Sequence, residues 1–127
     1  VIFDSGVPFF QVPCCTVAEL LATSPAELRE LCNGTGAIGD FLLHRTCDYV
    51  GNGFAVSKVI WDIAVIGWLR CREAYRSERL PAPLLDDTGR YRVPAAGRHE
   101  MRIATHIDRD RVFADLFTLL RQAERNR

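Results

Sequence analysis

Lysine is almost missing from this chain: of sixteen basic residues, fifteen are Arg and only Lys58 is Lys. The arginines alternate with acids, so they read as solvated surface rather than as a phosphate-binding cluster. Formal net charge is zero, which removes any electrostatic reason to expect nucleic acid or an anionic membrane as partner. No apolar run reaches the length of a membrane span, and no signal peptide is visible. No His-x-x-x-His spacing occurs, and His44, His99 and His106 stand apart as surface or structural residues. The five cysteines match no zinc pattern, and Cys14-Cys15 are adjacent rather than spaced as C-x-x-C. They read as reduced thiols acting as small hydrophobes in a cytoplasmic protein. Internal repeats, low-complexity tracts and interdomain linkers are also missing. The chain opens on Val1 rather than Met, and the expectation is that it starts within a domain.

What is present is the material of one small domain: 127 residues, 48% hydrophobic and 25% charged. Val7-Pro8-Phe9-Phe10-Gln11-Val12-Pro13-Cys14 is short and β-prone and predicts a buried strand over residues 7–15. Thr16-Val17-Ala18-Glu19 fits a capping box opening a short helix, and Ser24-Pro25-Ala26-Glu27 fits a second. That second helix points Leu28 and Leu31 inward and stops at Asn33-Gly34. A third helix is predicted over residues 37–50, ended by Gly51-Asn52-Gly53. A central helix follows over residues 57–75, apolar nearly all round at first and basic in its last turn. Leu84-Leu85 and Tyr91-Arg92-Val93 flank Asp86-Asp87-Thr88-Gly89-Arg90 as a hairpin. Residues 101–107 alternate like a half-exposed strand. A last amphipathic helix over residues 111–124 has Val112, Phe113, Leu116, Leu119 and Leu120 on one face, with Asp110 as its N-cap and Asp108 in solvent. The class is α/β, helix-rich with few strands.

Within the central helix, Asp62 is the residue that calls for explanation. A carboxylate among Ile60, Trp61, Ile63, Ala64 and Val65 is costly to bury unless it meets a cation. Two readings stand: a ligand for a hard metal such as calcium or magnesium, or a carboxylate facing a water-filled crevice near a helix start. Trp61 beside it is either core or a surface on which a planar ligand stacks. Cys14-Cys15 close a strand, where α/β proteins place active-site groups, yet no base for a thiol nucleophile is identifiable.

Three segments together resemble the C-terminal part of the inosine-uridine-type nucleoside N-ribohydrolases. They are Val12-Pro13-Cys14-Cys15, the helix segment Val59-Ile60-Trp61-Asp62-Ile63-Ala64, and residues 105–116 with their Asp-Arg-Asp-Arg-x-Phe core. They occur in the family's order and span nearly the whole chain. The resemblance implies a Rossmann-like α/β domain, one bound calcium ion and hydrolysis of nucleosides to base and ribose. It makes Asp62 a calcium ligand. It places Trp61 where many members carry a histidine and purine-preferring members carry a stacking Trp, which leans the chain toward purine nucleosides.

The family's N-terminal Asp-x-Asp-x-x-x-Asp-Asp motif and its middle Asn- and Glu-containing ribose-binding segment have no counterpart here. The expectation is therefore a partial domain over residues 1–127. It would lack a catalytic base of its own and be inactive alone, and its partner would be a missing N-terminal half or another copy of itself. The competing expectation is a non-catalytic interaction module, because half of a sheet leaves apolar edges and helix faces exposed.

Overall fold

The computed structural model describes residues 2–51, 53, 55–93 and 97–126. The elements follow in chain order as β1 (Phe10–Gln11), β2 (Ala22–Thr23), α1 (Pro25–Leu31), α2 (Gly36–Val50), β3 (Lys58–Val59) and α3 (Ile63–Arg70). Then come β4 (Tyr75–Pro81), β5 (Leu84–Leu85), β6 (Tyr91–Arg92), β7 (Glu100–Ile107) and α4 (Arg109–Arg125). The mixture of helices and small sheets is α/β. No helix among the described residues is long and apolar enough to cross a membrane.

The main sheet has the order β1-β7-β4. Met101, Ala104 and Ile107 of β7 are buried while Glu100, Arg102, Thr105 and His106 are exposed, an alternation interrupted by an irregularity opposite Arg76 and Ser77 of β4. β4 runs antiparallel to β7 and β1 runs parallel to it, with Phe10 opposite Arg102. The strand predicted over residues 7–15 shrinks to two residues, half-buried at the sheet edge. Pro8 and Pro13 bracket it and have no N–H to offer a ladder. The Pro13 carbonyl instead accepts from the Ala18 N–H at 2.9 Å, which turns the chain away from the sheet.

Local capping chemistry explains α1. The Ser24 hydroxyl accepts from the Glu27 N–H at 3.2 Å and Pro25 takes the first helical position. The box at Thr16 forms by half: Glu19 Oε1 accepts from the Thr16 N–H at 2.6 Å, and only a 3-10 turn, Ala18–Leu20, follows. α2 begins at Gly36 and ends against Gly51, whose φ of 78° suits glycine; Asn52 of the predicted stop lies outside the described residues. For α4 the cap is Asp108, which accepts from the Arg111 N–H at 3.2 Å, while Asp110 sits in the first turn as an exposed residue. Val112, Phe113 and Phe117 turn inward from α4; Phe117 belongs to the core although the predicted apolar face omits it.

The central helix departs most from expectation. Residues 57–75 form β3, a turn at Trp61-Asp62, the short α3, a 3-10 turn (Arg72–Ala74) and the start of β4. Val59 pairs with Ala22, and the Ile60 N–H donates to the Leu21 carbonyl at 3.0 Å. Val56, Val59 and Ile60 are β-branched and accept the extended form readily. A tertiary pairing therefore overrides a periodicity that, for a short apolar run, does not separate strand from helix.

The β5–β6 hairpin forms as predicted, and Asp86 holds its loop. Asp86 Oδ1 accepts from the Thr88 hydroxyl at 2.6 Å and from the N–H groups of Thr88 and Arg90, and Oδ2 accepts from Arg92 Nε at 3.0 Å. These bonds, the Thr88 hydroxyl first, lower its pKa from 3.8 to about 2. A carboxylate whose folded pKa is depressed contributes stability above its unfolded pKa and loses that contribution as pH falls through the folded one. The hairpin is thus expected to hold above pH 3.8 and to loosen as pH falls toward about 2. Amide shifts of Thr88 and Arg90 should titrate with that midpoint; a midpoint near 3.8 would show that the loop does not hold Asp86.

Candidate functional site

The Trp61-Asp62 turn is flanked by Ile60 and Ile63, half-buried residues packed against the core. Both line an apolar cavity of about 260 Å³ together with Leu28, Leu42, Phe113 and Phe117. Trp61 and Asp62 are exposed. The turn therefore packs its two half-buried isoleucines against the core and leaves the aromatic and the carboxylate exposed to solvent. Trp61 is 38% exposed, so it is not the core residue that its apolar neighbours suggested.

α3 holds the turn in place. Ala64 and Gly67 face inward, and the Tyr75 hydroxyl donates to the Ala64 carbonyl at 2.6 Å. Burial pushes the Tyr75 phenol up to about 12, so it stays a neutral donor across the working pH range. Gly67 is required by this packing, because an added Cβ would collide with the Tyr75 hydroxyl and press on Val112. Trp68 stacks on Phe10 with ring centroids 3.8 Å apart and meets Tyr75 edge-on. At the far end, Arg70 forks onto Asp115 at 2.8 and 3.2 Å; the pair is partly exposed, so solvent screens it.

Arg109 joins this region to the sheet. Its Nε donates to the Ala22 carbonyl at 2.7 Å, its guanidinium pairs with Glu27, and it lies 4.4 Å over the Phe113 ring. Glu27 also accepts from the Thr23 hydroxyl at 2.7 Å. β1 and β7 are parallel, so both leave the sheet at the same side by their carboxyl ends. Arg109 follows β7 there and grips β2, and β2 pairs with β3 just before Trp61. The turn is thereby tied to the segment that follows β7. No sequence pattern pointed to Gly67 or Tyr75 as positioning residues, and the segment containing Arg109 did not show its contact with Ala22, 87 residues away.

Asp62 is the N-cap residue of α3, not a mid-helix residue. Its side chain makes no capping hydrogen bond, and its φ of −71° and ψ of −26° are already helical. Among the described residues it has no ion pair or hydrogen-bond partner. The desolvation problem posed by an apolar helix does not arise, because the carboxylate stands in water at a helix N-terminus. Calcium takes about 6–8 oxygen ligands, and Asp62 supplies two at most. No group of three or more His, Cys, Asp or Glu side chains is placed to hold a metal among the described residues. The residues present do not by themselves fit a calcium ion.

The other acids and histidines fall elsewhere. Asp108 caps α4, Asp86 organises the hairpin, His44 and His106 are exposed, and His99 Nε2 is buried with no hydrogen-bond partner among the described residues. All five cysteines are free: Cys14 and Cys15 are exposed, Cys47 is half-buried, and Cys32 and Cys71 are buried. No protein-family model matches the chain, and no curated protein matches it.

Proposed function

We propose that the chain is the C-terminal portion of a Rossmann-like nucleoside N-ribohydrolase, in which Trp61 stacks on the base and Asp62 gives one oxygen donor to a calcium ion. The observation that carries this reading is the unspent Asp62 carboxylate, exposed beside Trp61 on a turn whose flanking isoleucines are half-buried against the core. The resemblance of residues 12–15, 59–64 and 105–116 to that family supports it, and Arg109 ties the turn to the segment that follows β7. An indole face can hold a flat purine, and stacking that strengthens as the base leaves favours cleavage of the N-glycosidic bond. The remaining oxygen donors and the base that activates water must come from outside these residues.

The purified 127-residue chain is therefore expected to give no hydrolysis of inosine or uridine in the presence of calcium. Clear release of free base, abolished by Asp62→Ala, would overturn that.

A second reading, a non-catalytic interaction module, has its own observation. Val65, Ile66 and Leu69 on α3 are 53–65% exposed, and Phe41 and Tyr49 on α2 are 62% and 72% exposed. Apolar faces of this kind favour association with a further copy or another chain. Light scattering after gel filtration separates the two readings: a dimer or larger species supports the module, and a monomer with a cooperative melt counts against it.

A further inference from the structure

We propose that Cys14 and Cys15 form a vicinal dithiol site that captures a soft, three-coordinate thiophilic centre of the trivalent arsenic type. Both thiols are free and exposed, on adjacent residues of the turn that follows β1. Part of the turn's backbone is already engaged. The Cys14 carbonyl accepts from the Glu19 N–H at 3.0 Å, the Pro13 carbonyl from the Ala18 N–H at 2.9 Å, and Glu19 Oε1 from the Thr16 N–H. No hydrogen bond or ion pair engages either sulfur among the described residues, so both are presented to a ligand.

The other thiols do not compete on equal terms. Cys32 and Cys71 are buried, and burial pushes both thiols up, which lowers their thiolate fraction and their reactivity. Cys47 is half-buried on α2 and offers a single sulfur.

The geometry favours a bridged product over a direct disulfide. Adjacent Cα atoms lie about 3.8 Å apart across a trans peptide, closer than the roughly 4.4–6.8 Å that a disulfide spans. Placing a further atom between the two sulfurs lengthens the bridge and relaxes that constraint. The chemistry balances without an oxidant. An arsenoxide meets two thiols, two As–S bonds form, the As–O bonds break, and the oxygen leaves as water carrying both thiol protons. Arsenic stays trivalent and sulfur is not oxidised. Thiolates select soft centres and leave hard cations such as calcium to oxygen donors, so this site is independent of Asp62.

The test uses the reduced chain and phenylarsine oxide at one equivalent, followed by excess 2-mercaptoethanol and intact-mass measurement. One phenylarsenic group per chain is expected to survive the monothiol and to leave on addition of dithiothreitol. Cys14→Ser and Cys15→Ser should each lose the monothiol-resistant adduct, and Cys47→Ser should keep it. Peptide mapping of the wild-type adduct should place it on residues 14 and 15, a readout that needs no variant to fold. An adduct that persists in Cys14→Ser or Cys15→Ser, maps to Cys32, Cys47 or Cys71, or is stripped from the wild type by 2-mercaptoethanol overturns the proposal.

Discussion

Asp62→Ala is expected to abolish nucleoside hydrolysis in a longer chain that carries the other calcium ligands, while leaving the fold intact. The two halves of that expectation have separate causes. Asp62 makes no capping bond and is exposed, so its removal costs the fold within about 0.5 kcal/mol, as for surface substitutions away from special contacts. In the proposed site it is a direct metal ligand. Its loss should exceed the roughly 10–100-fold that follows from losing an outer-shell partner of a bound metal. The check is base release from inosine alongside a thermal melt of the same preparations. Turnover equal to the parent protein removes Asp62 from the site; a large fall in melting temperature contradicts its placement in solvent.

The second large effect concerns the core. Phe113→Ala should destabilise the chain by about 3–5 kcal/mol, as buried Phe truncations do, against a total of about 5–15 kcal/mol for a typical domain. Phe113 is 3% exposed and meets Phe117 edge-on with ring centroids 6.1 Å apart. It carries the Arg109 guanidinium on its face and lines the cavity under the Trp61-Asp62 turn. Truncation enlarges a space that already exists and withdraws the ring over which Arg109 reaches toward Ala22. Urea unfolding should show a lower midpoint with little change in slope. Val65→Ala on the exposed face of α3 serves as the control, expected within about 0.5 kcal/mol. A Phe113→Ala loss of about 1 kcal/mol or less would fall outside the range for buried aromatics and would deny Phe113 its place in the core.

Elements governed by neighbouring residues were legible in the sequence, and elements governed by distant ones were not. Ser24-Pro25-Ala26-Glu27 specifies its own helix start, because cap, proline and N–H donor lie within four residues. Asp86 and its loop likewise specify the hairpin. The alternation of β7 is visible because one of its faces is buried. Residues 57–62 were misread as helix because their strand partner, Ala22–Thr23, lies far back in the chain and leaves no local mark. The cap of α4 moved from Asp110 to Asp108 for a smaller reason: acids two residues apart both suit a helix start, and the geometry chose the earlier one.

The pair Trp61-Asp62 was legible as a candidate from residue type alone, but its setting was not. Periodicity put Asp62 inside an apolar helix, which framed it as a buried charge. The β3 pairing shortens that helix and brings Asp62 to its N-terminus. Gly67 and Tyr75 carry no motif, and the Asp-Arg-Asp-Arg-x-Phe segment that contains Arg109 does not show what Arg109 touches; these roles arise only when α4 meets β2 and α3 meets β4.

The most direct measurement is the nucleotide sequence of the reading frame that runs into the Val1 codon. A nucleoside hydrolase site built on Asp62 requires an in-frame Asp-x-Asp-x-x-x-Asp-Asp segment upstream, with an Asn- and Glu-containing segment between it and Val1. An in-frame stop codon there, or an open frame with no acidic cluster, would contradict the enzyme reading and leave the interaction module.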